Sequence, residues 1–305
     1  MKDNMDNNKW TVNNIPEQKG RVVIVTGSSS GIGFEAARAL VNKNAKVIIA
    51  VRNTEKGIAA ANKIKTANNS ADVEFMLLDL ARLDSIHQFA NNFKGKYNRL
   101  DLLINNAGVM IPPYSKTSDG FELQFGTNHL GHFALTGLLI DLINKTKDSR
   151  IVNVSSAAHK SGNIDFNDLN WEKRKYKAWR AYGDSKIANL YFTYELQRRL
   201  INVKSNTKVT AAHPGWTATD LQRHSGLFQF MNGFFAMKQE QGALPTLRAA
   251  IDETAQSGDF FGPDGFQEIH GYPVKVESNK LSYDKNIALK LWNVSEDLTH
   301  VKFNL

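Results

Sequence analysis

The sequence predicts a single-domain α/β fold, a doubly wound parallel sheet of the Rossmann type with helices on both faces. Short apolar segments alternate with segments of helical periodicity along most of the 305 residues. The apolar segments carry hydrophobic side chains at consecutive positions, which is typical of strands buried on both faces. A glycine-rich turn, residues 26–33, follows the first of these segments.

The elements can be assigned in chain order from this alternation. Strands are expected at residues 21–26, 46–51, 73–78, 100–105, 150–155, 207–212 and 273–276. Helices are expected at residues 31–42, 54–66, 84–93, within 121–144, and at 183–200 and 285–292. Beyond Asp220 the alternation weakens. Since no linker interrupts it, residues 20–305 are predicted to form one domain after a polar tail over residues 1–19.

Composition excludes several classes of site and partner. The chain has no cysteine, which excludes disulfides, thiolate metal sites and cysteine nucleophiles. Its net charge is +8, but acidic residues lie among the basic ones, as in residues 172–175. We interpret this as a solvated surface with some attraction for a phosphorylated cofactor, and we predict neither a nucleic-acid partner nor a metal site. A binder of nucleic acid or an anionic membrane surface is the alternative that the charge leaves open.

No apolar run suits a signal peptide or an integral membrane segment. The sequence therefore predicts a cytoplasmic protein.

Residues 26–33 read Thr-Gly-Ser-Ser-Ser-Gly-Ile-Gly, between the first predicted strand and the first predicted helix. Glycines permit a tight turn and let the backbone approach a pyrophosphate, which the N–H groups at the start of the helix can bind. This position is the one that a dinucleotide site requires.

The turn and three later motifs resemble the short-chain dehydrogenase/reductase family. The later motifs are Asn-Asn-Ala-Gly at residues 105–108, Tyr-Gly-Asp-Ser-Lys at 182–186 and Pro-Gly at 214–215, in the family's order. Residues 125–132 and 150–159 are similar to its retinol dehydrogenase branch, to which the WW-domain-containing oxidoreductase is related. The resemblance spans nearly the whole chain after the tail and implies a nicotinamide-dependent oxidoreductase.

The resemblance also implies a catalytic set of four residues, which is Asn128, Ser156, Tyr182 and Lys186. Tyr182 would exchange a proton with the substrate oxygen, Ser156 would bond that oxygen, and Asn128 would hold a relay water. Lys186 would bond the nicotinamide ribose and lower the pKa of Tyr182 from about 10. The spacing agrees, since residues four apart share one face of a helix. Ser155 is expected to be structural.

The end of the second strand indicates which nicotinamide cofactor is used. Dehydrogenases for NAD commonly place an acidic residue there, but this chain has Val51 followed by Arg52. Arginine suits a 2′-phosphate, so we expect NADP(H) rather than NAD(H). The further cofactor contacts that the resemblance implies are Gly27, Ser29, Ser30, Gly31, Ile32, Gly33, Asp79, Leu80, Asn106, Ala107, Gly108, Tyr182, Lys186, Pro214, Gly215 and Thr219.

Residues 227–237 are rich in aromatic residues and methionine, and they match the family's variable substrate lid, here expected near residues 220–240. An apolar lid suits a small lipophilic substrate, a retinoid- or steroid-like aldehyde or ketone and its alcohol. For the same segment the sequence leaves three alternatives open: packing on the core, on a partner subunit or on a membrane surface. It also leaves open whether the protein forms a homodimer. A catalytically silent NADP(H)-binding sensor or scaffold is the alternative function.

Overall fold

A computed structural model describes residues 9–217 and 237–305. Within these residues the strands are β1 Val22–Thr26, β2 Lys46–Val51, β3 Val73–Leu77, β4 Leu102–Asn105, β5 Arg150–Val154, β6 Lys208–Ala212, β7 Phe260–Pro263 and β8 Pro273–Val276. They form one sheet in the order β3-β2-β1-β4-β5-β6-β7-β8. This is the doubly wound arrangement that the sequence predicts.

The helices of the described residues are α1 Gly31–Val41, α2 Thr54–Ala67, α3 Leu83–Lys96, α4 Leu123–Phe125, α5 Gly131–Lys145, α6 Ala178–Asn202, α7 Gln239–Gly242, α8 Leu244–Ile251 and α9 Lys285–Thr299. A π-helical turn, Gly126–Leu130, joins α4 to α5. None of the helices in these residues is long and apolar enough to cross a membrane.

Side chains of β1 alternate between two apolar clusters, one on each face of the sheet. Val23 and Val25 pack in the cluster that includes buried residues of α1, α2 and α8. Val22 and Ile24 pack in the cluster that includes buried residues of α3, α5 and α6. Successive residues of a strand point to opposite faces, so apolar residues at consecutive positions require a helix layer on both sides. The prediction of helices on both faces is confirmed.

The far edge of the sheet differs from the predicted parallel arrangement. Neighbouring strands from β3 to β7 are parallel, but β8 pairs antiparallel with β7, Phe260 opposite Val276. The connection between them, residues 264–272, is too short for the crossover that a parallel pair needs. Strand β8 lies at the predicted residues, whereas β7, α7 and α8 were not predicted because each is short.

The described part of the predicted tail, residues 9–19, packs against the domain. Trp10 and Ile15 are buried in the same cluster as Val23 and Val25. The backbone N–H of Gln18 also donates to the carbonyl of Lys43, just beyond α1. These contacts fix the polypeptide that leads into β1.

The strand order places the candidate site. The chain runs outward from β1 through β2 to β3, and then returns to add β4 on the other side of β1. The turns after β1 and β4 therefore meet at the carboxyl ends of adjacent strands. Ligands of doubly wound proteins bind at such a reversal of strand order.

Candidate active site

The turn after β1 passes very close to the turn after β4. Gly27 has a φ of +67°, and a β-carbon on it would lie 2.8 Å from the Cα of Ala107. Only glycine avoids both the backbone strain and the collision. The Oγ of Ser28 donates to the carbonyl of Val25 at 2.7 Å and helps to close the turn.

Thr26 holds these two turns together. Its Oγ1 accepts the backbone N–H groups of Asn106 and Ala107, each at 2.9 Å. The side-chain amide of Asn106 donates in return to the carbonyl of Thr26 at 2.8 Å. Asn105 braces the sheet below, since its Nδ2 donates to Asn153 of β5 at 2.8 Å.

The turn after β1 leads directly into α1 at the same edge of the sheet. Ser30 is the N-cap residue of α1, but its side chain makes no capping hydrogen bond. The first N–H groups of the helix are therefore not satisfied by this side chain and suit an anionic group. Residues 27–33, which include six of the predicted cofactor contacts, belong to this turn and to the first turn of α1.

Tyr182 lies on α6 with its ring almost fully buried, and its side chain shares a hydrogen bond with Ser156. Burial raises the pKa of Tyr182 to about 12, and the bond with Ser156 acts in the opposite direction. The phenol is therefore protonated at neutral pH. The expected lowering of this pKa by Lys186 is not found: the shift comes from burial and from the bond with Ser156, and the ammonium lies 5.6 Å from the centre of the tyrosine ring.

Ser156 begins the short turn Ala157–Ser161 after β5, where its Oγ accepts the N–H of Ala158 at 3.2 Å. The neighbouring Ser155 is buried, and its Oγ donates to the carbonyl of Lys186 at 2.8 Å. Ser156 therefore faces the phenol of Tyr182, while Ser155 ties β5 to α6. The contacts of Ser155 are structural, and the role of Ser156 towards a substrate oxygen stays a prediction.

Lys186, one turn after Tyr182, is only 3% exposed. Its Nζ donates to the carbonyl of Val154 at 3.2 Å, and Asn189 donates to the same oxygen at 3.1 Å. Burial lowers the pKa of Lys186 to about 8. The ammonium has three donors, so it can bind further acceptors beside Val154.

Asn128 is fully buried in the π-helical turn. Its Oδ1 accepts the N–H of Val109 at 2.8 Å, and its Nδ2 donates to the carbonyl of Val109 and to the Oγ of Ser185, each at 3.0 Å. The side chain thus links the turn after β4 to α6.

Gly108 marks the point where these groups converge. A β-carbon on it would lie 3.1 Å from the Oδ1 of Asn128 and 3.5 Å from the Nζ of Lys186. An amide oxygen and an ammonium therefore border the space beside Gly108, and both are groups that bind hydroxyls. This space and the turns after β1 and β4 form one continuous edge, so the residues present fit a dinucleotide.

At the other end of the site, Arg52 directly follows β2 and is exposed. In the part of the chain that the structure describes, its guanidinium makes no hydrogen bond or ion pair.

Asn53 caps α2, with its Oδ1 accepting the N–H of Lys56 at 2.8 Å. The Oδ1 of Asp79 accepts the N–H of Ala81 at 3.0 Å and shapes the turn after β3, beside the buried Leu80.

Pro214 and Gly215 follow β6, and the next residue, Trp216, donates its N–H to the carbonyl of Ile269 at 2.8 Å. Met237 returns to this point and donates its N–H to the carbonyl of Trp216 at 2.9 Å. Thr219 and most of the expected lid, residues 220–236, lie outside the described residues.

Aromatic residues lie on the outer side of Tyr182. Trp179 is 45% exposed, and its ring centre lies 6.2 Å from that of Tyr182. Trp171 and Tyr176, which precede α6 in the chain, pack edge to face at 5.6 Å. Of these three described rings, that of Trp179 contacts Tyr182.

Three residues at the site were not assigned a role from the sequence. His132 bonds to Asn128 and Thr26, His159 donates its Nδ1 proton to the carbonyl of Ser156 at 2.7 Å, and Glu268 contacts His213 at 2.7 Å. His213 is fully buried directly after β6. No spacing in the sequence connects Glu268 to His213, since the contact depends on the antiparallel pair β7 and β8.

Comparison with known proteins supports this description. Residues 21–228 match the family model described as short chain dehydrogenase. The chain is 49% identical to human retinol dehydrogenase 13 over 290 residues (92% of this chain and 84% of that protein). It is 42% identical to human retinol dehydrogenase 11 over 282 residues (92% and 86%). A crystal structure of an uncharacterized protein from Mycobacterium paratuberculosis aligns with a TM-score of 0.84 at 41% identity (97% of this chain and 100% of that one).

Proposed function

The chain belongs to the short-chain dehydrogenase/reductase family, on its retinol-dehydrogenase-like branch, and is therefore an oxidoreductase; from this premise we propose that it uses NADP(H) to interconvert a lipophilic carbonyl compound and its alcohol. The observation that carries the proposal is one group of four side chains: Asn128 and Lys186 meet beside Gly108, and the Tyr182 ring, 5.6 Å from the ammonium of Lys186, shares a hydrogen bond with Ser156. A protein that only bound the cofactor would not need all four.

Tyr182 is the proton donor in the proposed reduction. The bound nicotinamide would supply the hydride. The raised pKa of Tyr182, about 12, keeps its hydroxyl protonated and able to donate to the substrate oxygen. Ser156, which already shares a hydrogen bond with this hydroxyl, would bind the same oxygen and stabilise its developing charge. In oxidation the phenolate form of Tyr182 would accept the proton from the alcohol.

Lys186 and Asn128 act beside this pair. Lys186 would bind the ribose hydroxyls with the donors that Val154 does not use. Asn128 holds the turn at Val109 and so fixes the backbone of Gly108, against which the ribose would lie.

The preference for NADP(H) rests on the end of β2. A carboxylate there would repel a 2′-phosphate, and this chain has the apolar Val51 in its place. The exposed guanidinium of Arg52 offers a planar pair of donors for the phosphate. The remaining predicted contacts stay predictions; they include Asp79 and also Thr219, which is outside the described residues.

The proposed substrate class is lipophilic, with a retinoid- or steroid-like aldehyde or ketone as the model compound. The exposed ring of Trp179 beside Tyr182 would give such a molecule an apolar surface next to the proton donor. The relatives named retinol dehydrogenase support the same class. The cytoplasmic location and the homodimer also stay predictions.

The test is to follow oxidation of NADPH in the presence of retinal, steroid ketones and alkyl aldehydes. Tyr182→Phe should lower kcat by a factor on the order of a thousand, since it removes the general acid. Tyr191→Phe is the matched control, because Tyr191 is another buried tyrosine of α6 and lies outside the site. Tight NADPH binding by a protein that turns over none of these compounds would favour the sensor or scaffold instead.

A further inference from the structure

His132 is buried on the first turn of α5 and bonds to both halves of the site. Its Nδ1 lies 2.9 Å from the backbone carbonyl oxygen of Asn128. Its Nε2 lies 2.9 Å from the Oγ1 of Thr26, at the end of β1. One partner, Asn128, contacts Val109, and the other, Thr26, fixes the turn after β4.

The partners determine which nitrogen carries the proton. A carbonyl oxygen can only accept, so Nδ1 must donate to Asn128. In a neutral imidazole the other nitrogen then accepts, and the hydroxyl of Thr26 donates to Nε2. Burial lowers the pKa of His132 to about 4, and the neutral ring is the form present near neutral pH.

This arrangement also leaves Thr26 fully satisfied. Its proton points to the Nε2 of His132 at 2.9 Å, which is nearer than its other acceptor, the carbonyl of Ile104 at 3.3 Å, while its oxygen accepts the N–H groups of Asn106 and Ala107. If Nε2 carried a proton as well, the hydroxyl of Thr26 would have to turn its proton to Ile104 and accept a third N–H group. The direction of each bond from Asn128 to the turn after β4 is thus set by one tautomer.

We propose that His132 is a positioning residue whose neutral Nδ1–H tautomer couples the carbonyl of Asn128 to the Thr26 hydroxyl that holds the cofactor turn. The Nδ1 bond orients Asn128 for the reaction. The Nε2 bond orients Thr26, and through it the turn that ends at Gly108. This inference rests on the proposed function, because it assigns His132 to the same site.

Two substitutions separate the two bonds. His132→Asn places an amide N–H where Nδ1 lies and removes the acceptor for Thr26. His132→Gln extends an amide oxygen towards Thr26 and removes the donor to Asn128. His132→Leu removes both.

We expect His132→Asn to weaken NADPH binding roughly tenfold with kcat close to wild type, since about one hydrogen bond is lost on the cofactor side. His132→Gln should lower kcat roughly tenfold with little change in NADPH affinity. His132→Leu should show both effects. Binding is measured by NADPH fluorescence, and kcat with any carbonyl compound that the wild type reduces in a Tyr182-dependent manner.

His129→Asn is the matched control. His129 is buried in the π-helical turn that precedes α5, but its Nε2 bonds to the Oγ of Ser295 on α9, away from Thr26. This substitution should lower thermal stability without a selective loss of either kcat or NADPH affinity. Equal losses of both quantities in the Asn and Gln variants of His132 would overturn the coupling.

The tautomer is tested without substrate. Protein labelled with ¹⁵N-histidine should give one resonance pair, lost in His132→Leu, that shows a protonated Nδ1 and an unprotonated Nε2 near neutral pH. A protonated Nε2, or a charged ring, would overturn the proposal even in an active enzyme. Failure of the wild type to bind NADPH would instead overturn the proposed function, while the tautomer would still decide whether this link exists.

Discussion

The Oε2 of Glu268 accepts a hydrogen bond from the Nε2 of His213 at 2.7 Å. The other carboxylate oxygen lies 3.2 Å from the Nζ of Lys160. His213 immediately precedes Pro214, and Lys160 lies in the turn that Ser156 begins. Glu268, from the connection between β7 and β8, therefore joins the two loops that follow β5 and β6 at the site.

Glu268→Gln should lower both thermal stability and turnover, because it removes the negative charge that attracts Lys160 and strengthens the hydrogen bond from His213. The pKa of Glu268 is lowered to about 2, mainly by the hydrogen bond from His213. A depressed carboxyl pKa contributes stability that is present above the ordinary value of about 4.3 and is lost as the pH falls through the folded value.

The unfolding midpoints of wild type and Glu268→Gln should therefore differ at neutral pH and converge as the pH falls towards about 2. Glu253→Gln, an exposed carboxylate outside the site, controls for the change in net charge. A difference between wild type and Glu268→Gln that is independent of pH would show that the carboxylate charge is not the cause.

Lys186→Met should abolish turnover and raise the unfolding midpoint near neutral pH. Burial lowers the pKa of Lys186 to about 8, so the folded protein carries its charge at a cost on the order of 3 kcal/mol. The unfolded chain binds the proton more strongly between this value and about 10.4, so wild-type stability gains with rising pH across that window.

The stabilisation by Lys186→Met should accordingly be largest below about pH 8 and disappear above about pH 10.4. Thermal unfolding across this range measures it. Lys302→Met, at an exposed lysine, is the control, and its unfolding midpoint should not show this pH-dependent rise above wild type. A less stable Lys186→Met protein at neutral pH would mean that the bond to Val154 outweighs the burial of the charge.

Much of the fold could be predicted because it is encoded locally. Strand β2 occupies the predicted residues, Lys46–Val51, since its run of β-branched and apolar side chains ends at polar residues on both sides. Helix α6 begins at Ala178 rather than at residue 183, and the π-helical turn before α5 has no periodic signal of its own. Strand β7 is defined by its partners β6 and β8, so four residues alone do not reveal it.

The site divides in the same way. The four residues of the predicted catalytic set lie in motifs, whereas His132 acquires its role from Thr26, which is 106 residues away in the chain. The pKa of Tyr182 was also misjudged from sequence, because the spacing to Lys186 is visible there and the depth of burial is not.

Arg52→Ala should weaken NADPH binding roughly tenfold or more and leave NADH binding nearly unchanged, because only NADPH carries the 2′-phosphate. Fluorescence titration with each nucleotide measures the two affinities. Lys65→Ala, which removes a charge of the same sign at the other end of α2, should change neither affinity. Equal loss of both nucleotides on Arg52→Ala would contradict a specific phosphate contact.

Gly108→Ala should weaken cofactor binding and lower turnover, each by about tenfold or more, in a protein that still folds. The added methyl would lie 3.1 Å from the Oδ1 of Asn128 and 3.5 Å from the Nζ of Lys186. It would displace these groups slightly and fill the space that the ribose needs. The φ of Gly108 is not positive, so alanine brings no backbone strain that would confuse the result.

The control is Gly95→Ala on α3, where a β-carbon would meet no atom within 4 Å. Alanine is the better helix former by about 1 kcal/mol, so this variant should be more stable and equally active. Because the same methyl group is added in both variants, a loss confined to Gly108→Ala assigns the effect to its position between Asn128 and Lys186. Unchanged NADPH affinity in Gly108→Ala would place the cofactor elsewhere and remove the basis for the proposed role of Lys186.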